Sequence, residues 1–386
     1  MNRKKVMIIF GTRPEAIKLA PVILGMKSDP KRYDSFILAT GQHDEMLSQV
    51  LNLFEIRPDK NLEIMTSGQT LFDITTRALT GMEHVLNEVS PELVLVQGDT
   101  TTAFVAALAA YYKQIPVGHV EAGLRTYNKY NPFPEEINRQ LVSVLTDLHF
   151  APTVYSSNQL QKEGIDKEKI FVTGNTVIDA LLLGIKKEYT FKEKILQKIN
   201  FDSKKVILLT MHRRESFGVP MEKIMSAVCS LANEYAQEVE VVFPVHFNPK
   251  VRKTVQQVLN KSPANNIHLL DPLDYQTFIK LMEKSYLIIT DSGGVQEEAP
   301  SLGKPVLVLR ETTERPEGID AGTAKLVGTS PEIIYKETKN LLDDPSAYEK
   351  MAKSVSPYGD GRASERILNI IDRVKLDEMG RARDCR

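Results

Sequence analysis

Val6-Met7-Ile8-Ile9-Phe10-Gly11-Thr12-Arg13-Pro14-Glu15 is the stretch that decides the fold. Five consecutive apolar residues read as a strand buried on both faces, as the strands of parallel sheets are. A glycine turn follows, then proline at a first helical position beside a first-turn glutamate, which starts a helix running to about Lys27. Strand, turn and helix in that order make the first half of a βαβ unit. The rhythm repeats: strands are expected over 36–39, 93–97, 117–121, 148–151 and 170–172, with helices over 71–89, 100–113 and 134–146. It starts afresh after a break at Gly174-Asn175-Thr176, with strands over 206–210, 239–244, 267–270, 287–290 and 305–309. Strands alternating with helices of this length define an α/β class with mainly parallel, doubly wound sheets. At 386 residues the chain exceeds one ordinary core. Two doubly wound domains are expected, 1–174 and 175–363, with 186–205 charged and loop-rich.

Composition narrows the function. Forty-nine basic and fifty acidic side chains leave a net charge of −1, so no overall field favours nucleic acid or an anionic membrane. Two cysteines, Cys229 and Cys385, build neither a disulfide framework nor a four-cysteine metal site, which fits a reducing compartment. Val6 to Phe10 is shorter than a signal peptide's apolar stretch, and the run from Phe104 to Tyr112 falls well below a membrane span. A cytoplasmic protein is expected, with small-molecule rather than nucleic-acid or membrane partners.

Ligands of doubly wound sheets bind beyond the carboxyl ends of the strands, so the residues just after each strand carry the information. Asp291-Ser292-Gly293-Gly294-Val295-Gln296-Glu297-Glu298 follows one strand, and its glycines allow close backbone approach at a helix start. A diphosphate fits there, with Glu297 placed to accept from ribose hydroxyls; from spacing alone a plain Gly-Gly turn fits equally well. Gly11-Thr12-Arg13-Pro14-Glu15 offers a second anion site, with Arg13 and Lys18 as cations. For Lys18 taken alone, an exposed basic helix start is the stronger reading. No G-x-G-x-x-G occurs, so nicotinamide and flavin have no support.

Gln97-Gly98-Asp99-Thr100-Thr101-Thr102 ends a strand, and Asp99 reads locally as an N-cap rather than a site carboxylate. His119-Val120-Glu121-Ala122-Gly123-Leu124-Arg125-Thr126 is harder to dismiss, because a glutamate at a strand's end suits neither core nor turn. Pro134-Glu135-Glu136 opens a helix, and Arg139 reads as an i,i+4 ion pair with Glu135. Met211-His212-Arg213-Arg214-Glu215, Pro244-Val245-His246-Phe247-Asn248-Pro249 and Arg310-Glu311-Thr312-Thr313-Glu314-Arg315-Pro316-Glu317 stand at matching positions in the second half. A histidine at such a place can donate to a phosphate or a leaving oxygen. His84, His149 and His268 read as structural, and no H-E-x-x-H or paired cysteines support a metal.

Together these loops, with Ala299-Pro300 completing the Asp291 motif, closely resemble the non-hydrolysing UDP-N-acetylglucosamine 2-epimerases, in order and character from about Val6 to Arg366. The resemblance implies a GT-B architecture with a cleft between two Rossmann-like domains, a C-terminal helix near 364–378 returning to the first domain, and a homodimer. It implies reversible inversion at C2 between UDP-GlcNAc and UDP-ManNAc with no cofactor or metal, supplying ManNAc for surface polysaccharide. Asp99, Glu121 and Glu135 are the catalytic carboxylates by resemblance, with His212 on the departing diphosphate. Arg13, Lys18, Arg213, His246, Ser292, Gly293, Gly294, Glu297, Arg310, Thr313 and Glu314 are the expected substrate contacts.

Gln42, His43 and Gln69, with Glu135 and His246, match the family's contacts to a second, activating UDP-GlcNAc. Gly68 departs from the pattern, since activated relatives tend to carry arginine there. The alternatives are a 2-epimerase of a modified UDP-HexNAc, a hydrolysing 2-epimerase, a GT-B glycosyltransferase and a nucleotide-sugar sensor. Pro14 speaks against the hydrolysing relatives, and all three carboxylates speak against the sensor.

Overall fold

A computed structural model describes residues 3–41, 45–66, 68–213 and 216–379. The chain forms two compact units, Met1–Gly184 with Tyr358–Arg386, and Ile185–Pro357. The first is built on a parallel seven-stranded sheet of β1 (Lys4–Phe10), β2 (Tyr33–Ala39), β3 (Lys60–Asn61), β4 (Leu93–Gln97), β5 (Val117–Val120), β6 (Leu148–Ala151) and β7 (Ile170–Val172), in the order β3-β2-β1-β4-β5-β6-β7. The second holds a parallel six-stranded sheet of β8 (Lys205–Thr210), β9 (Val239–Pro244), β10 (Ile267–Leu270), β11 (Leu287–Thr290), β12 (Val306–Val308) and β13 (Ala324–Leu326), in the order β10-β9-β8-β11-β12-β13. Each order reverses once, at β1/β4 and at β8/β11, which are the switch points where such sheets hold ligands.

Apolar burial drives both. Val6 to Phe10 are at most 1% exposed, because helices cover both faces of the sheet. The alanine-rich helix Thr101–Tyr112 packs between Leu71–Val89 and Glu135–Leu145, where its small side chains let the neighbours approach. The second unit closes its core from Ile207 and Leu209, Val241 and Phe243, Leu287 and Ile289, with Met221, Ile224 and Val228 of the helix Val219–Glu234 over them.

Several expected boundaries move. β5 stops at Val120 because Glu121 turns the chain at φ +66°. The short edge strands β3 and β13 and the helix Glu45–Leu53 carry too little pattern to be read from sequence. The units divide at 184/185 rather than 174/175, because the helix Thr176–Lys186 belongs mostly to the first. Its Asp179 accepts from the N–H groups of Ala363 (3.1 Å) and Ser364 (2.8 Å), so it starts the helix Ala363–Arg373. That helix packs on Arg13–Lys27, and Gly25 makes room: a Cβ there would stand 2.5 Å from Leu368 Cδ1. Lys4 Nζ closes its far end by donating to the carbonyls of Ile371, Asp372 (3.1 Å) and Val374 (2.8 Å).

Candidate active site

In the first unit, Glu121 follows β5 and is 6% exposed. Its carboxylate accepts from Lys18 Nζ at 2.7 Å (Oε1) and 2.5 Å (Oε2), from Gln97 Nε2, and from Asn175 Nδ2 at 3.2 Å. A buried carboxylate requires such a cation and donors. The expectation of Lys18 as an exposed helix-start charge is therefore corrected: burial of Glu121 draws it inward, leaving it 16% exposed.

Asp99 is not the N-cap. Thr100 takes that place, its hydroxyl accepting from the Ala103 N–H at 3.0 Å. Asp99 is left to take Arg139 Nε at 2.8 Å and Nη2 at 2.8 Å, while Asn138 Nδ2 holds its carbonyl at 2.9 Å. Arg139 thus pairs with Asp99 and, at 3.1 Å, with Glu136, not with Glu135 as the i,i+4 spacing suggested. A tertiary carboxylate outcompetes the local one because Arg139 lies in the protein rather than on its surface. Burial alone would raise Glu136, but the N–H groups of Thr126 (2.9 Å) and Tyr127 (3.0 Å), the Thr126 hydroxyl and Arg139 hold its carboxyl below the ordinary range. Glu135 is the half-buried first residue of the helix Glu135–Leu145. His119 Nε2 donates to the Gly98 carbonyl at 2.7 Å, tying β5 to the Asp99 turn, and burial pushes its ring down to about 4.

The Gly11 turn departs from the expected anion site. Glu15 Oε2 accepts from the N–H groups of Gly11 (3.0 Å) and Thr12 (2.7 Å), and Thr100 donates to its Oε1 at 2.6 Å. A carboxylate of the chain itself fills those amides, which leaves Arg13, packed at Met46, as the turn's cation.

In the second unit, Asp291 is fully buried after β11 and receives the loop that carries His212 and Arg213. Ser292, whose own N–H donates to Thr290 Oγ1 at 2.9 Å, stands before the helix Gly293–Glu298 without a side-chain capping bond, and the first N–H groups, at Gly293 and Gly294, are the orphan donors of a helix start. The Arg315 guanidinium lies against Gly293, where a Cβ would stand 2.5 Å from Nη1. Arg315 Nε donates to Glu297, the residue expected at ribose, so Glu297 is already engaged within the unit. Burial would raise Glu314, yet Arg315, Arg310 and Arg213 around it pull its carboxyl down to about 2. Thr313 donates to Gln296 Oε1 at 2.8 Å. His246 is exposed and its Nδ1 accepts from the Asn248 N–H at 3.1 Å, so its other ring nitrogen carries the hydrogen.

Gln42 and His43 lie outside the described residues. Gln69 turns on its own loop, accepting from the Thr66 N–H at 2.8 Å. Among the described residues no group of three or more His, Cys, Asp or Glu could hold a metal, and no helix is long and apolar enough to cross a membrane. Sequence reasoning missed Gln97, Asn175, Asp291 and Arg315. Gln97, Asp291 and Arg315 stood inside quoted motifs and Asn175 at the quoted break, but nothing in their spacing showed which partner each would hold.

Two doubly wound parallel units, with polar clusters after β4, β5, β8 and β11, place the chain in the GT-B class of α/β proteins. The fold alone is shared with a glycosyltransferase from Rickettsia africae, at 14% identity and a TM-score of 0.64 over 98% of this chain and 99% of that one. Residues 26–372 match the family described as UDP-N-acetylglucosamine 2-epimerase, and the chain belongs to that family. It is 54% identical over 384 residues to a UDP-N-acetylglucosamine 2-epimerase of Campylobacter jejuni, covering 97% of this chain and 99% of the relative. The UDP-GlcNAc 2-epimerase of Neisseria meningitidis, solved bound to UDP-GlcNAc, superposes with a TM-score of 0.85 at 50% identity, over 95% of this chain and 99% of that one.

Proposed function

We propose that the chain interconverts UDP-GlcNAc and UDP-ManNAc without hydrolysis. The observation that carries this reading is the pair of engaged carboxylates after the neighbouring strands β4 and β5: Glu121 held by Lys18, and Asp99 held by Arg139. Family membership and the UDP-GlcNAc bound to the Neisseria relative support the substrate.

The C2 proton has no adjacent ketone to acidify it, so the accessible route is elimination. The C1–O bond to UDP breaks, the C2 proton leaves to a protein base, and 2-acetamidoglucal forms beside UDP. UDP then adds back to C1 while C2 is protonated from the opposite face. Two faces need at least two proton-transfer groups, and Asp99, Glu121 and Glu135 are the residues assigned. Arg13, His212, Ser292 and the amides of Gly293 and Gly294 stabilise the diphosphate as it gathers charge. Lys18, Arg213, His246, Glu297, Arg310, Thr313 and Glu314 complete the substrate contacts. The enzyme acts as a cytoplasmic homodimer, takes a second UDP-GlcNAc through Gln42, His43 and Gln69 as activator, and supplies ManNAc for surface polysaccharide.

Proton NMR of the protein with UDP-GlcNAc in D₂O containing EDTA tests the reading. The expected product is UDP-ManNAc carrying deuterium at C2. Release of UDP and free ManNAc would mean a hydrolysing enzyme, and epimerisation with the C2 hydrogen retained would overturn the elimination route. No turnover without a separate acceptor would favour a glycosyltransferase.

A further inference from the structure

Asp291 takes no step in that scheme, yet its buried carboxylate is supplied with donors from both backbone and side chains. It is 0% exposed, and a lone charge there would be far costlier than a neutral side chain. One loop supplies its donors. The His212 N–H lies 3.1 Å from each oxygen, the Arg213 N–H 3.0 Å and the Ser216 hydroxyl 2.9 Å from Oδ2, and the His212 ring Nδ1 3.1 Å from Oδ1. Burial would raise the Asp291 carboxyl, but the His212 ring, the Arg213 N–H and the Ser216 hydroxyl outweigh it and hold it below its ordinary range.

An ionised carboxylate only accepts. Nδ1 of His212 therefore carries a hydrogen, and in the neutral ring the lone pair sits on Nε2. The side chain is 48% exposed, with Nδ1 the ring nitrogen turned to Asp291. The strands enforce the pairing: β8 and β11 are neighbours with Thr210 opposite Thr290, so the residues that follow them emerge side by side.

We propose that Asp291 is a positioning residue that acts through His212: it takes the Nδ1 hydrogen, so that a proton gained by the ring is held on Nε2, from where it is donated to the departing diphosphate. This rests on the reading of His212 as a diphosphate contact. In Asp291→Asn an amide of the same shape can turn its NH₂ toward the ring, so that Nδ1 becomes the acceptor, the hydrogen moves to Nε2, and the ring no longer gains the second proton that it would give up.

Full-length protein labelled with ¹⁵N-histidine tests this directly, with the His212 signals identified by their loss in His212→Gln. Wild type is expected to show a protonated Nδ1 and a bare Nε2 above the ring's titration, and Asp291→Asn the reverse. With UDP-GlcNAc, Asp291→Asn should lower kcat about 100-fold, the low end of general acid–base effects, with KM little changed. Placed on His212→Gln it should cost less than about threefold more, because two residues acting as one unit are not additive. An Nε2–H tautomer in wild type overturns the proposal, and that spectrum decides even if the variant does not fold. So does an Asp291→Asn loss of equal size with and without His212. Wild-type protein showing the Nδ1–H tautomer but no turnover of UDP-GlcNAc would overturn the epimerase reading while supporting the hold of Asp291 on the ring.

Discussion

Lys18 donates to both oxygens of Glu121, and the two side chains are only 16% and 3% exposed. Removing one partner of a buried pair strands the other. Lys18→Met is expected to cost about 3 kcal/mol of stability, the low end for such losses, because the Gln97 and Asn175 amides still reach Glu121. Adding Glu121→Gln should recover most of that loss by removing the stranded charge. Urea denaturation of the single and double variants measures both. A single-variant loss under about 0.5 kcal/mol would mean the pair is worth no more than an exposed one.

Gly293 and Gly294 differ in what a methyl group would meet. At Gly293 it lands 2.5 Å from Arg315 Nη1 and 2.8 Å from Cζ; at Gly294 the nearest atom is Glu298 Oε2 at 3.8 Å. Gly293→Ala should push the guanidinium off Glu297 and Glu314 and weaken UDP binding about tenfold, roughly one charge-assisted hydrogen bond. Gly294→Ala should weaken it less. Titration calorimetry with UDP ranks the two, and equal losses would remove Arg315 from the account.

His119 and His149 face each other across β5 and β6, and burial pushes their rings down to about 4 and about 3. Both values lie below the ordinary ~6.5, so in acid the unfolded chain binds protons that the folded chain refuses. Their stabilisation is complete above about pH 6.5 and is lost as pH falls through 4, at up to about 1.4 kcal/mol per unit and ring. Glu314, near 2, stays charged across that window. The urea midpoint should therefore fall between pH 7 and pH 5, and fall less in His149→Asn. An unchanged wild-type midpoint would show that the rings titrate as in water.

Gly68 sits at φ +74° with no atom within 4 Å of where a Cβ would stand. Gly68→Arg thus has room for its side chain and meets a backbone cost of about 1–2 kcal/mol. If a second UDP-GlcNAc activates the enzyme, reaction from pure UDP-ManNAc should begin with a lag that added UDP-GlcNAc removes. The guanidinium should lower the UDP-GlcNAc needed about tenfold to hundredfold, by ~1.5–3 kcal/mol of charged hydrogen bonding. Progress curves decide, and immediate linear turnover by wild type would show that no such activation operates.

Most of the fold was legible because parallel strands buried on both faces leave unbroken apolar runs. β4, β6, β7, β9, β10 and β11 begin and end at the residues expected. What escaped was two-residue β3, three-residue β13, the helix Glu45–Leu53, the start of β2 at Tyr33, and Glu121, whose left-handed backbone ends β5 early. At the site, the loops were legible as loops, and the partners of their charges were not. Asp99 looked like a cap and Lys18 like a surface charge, because both readings use only neighbours in sequence.

The sequence by itself determined two parallel α/β units, the turns that end their strands, and the residue types offered there, since local pattern and chain punctuation specify backbone. Only the tertiary structure decided which charge meets which. Lys18 and Glu121 are 103 residues apart, Asp99 and Arg139 are 40, and His212 and Asp291 are 79. No spacing rule reaches that far. The pairings arise because the sheet order brings β1, β4 and β5 together in one unit and β8 and β11 together in the other. Burial then makes an unpaired charge too costly to keep, so each carboxylate takes the donors that the fold has placed beside it.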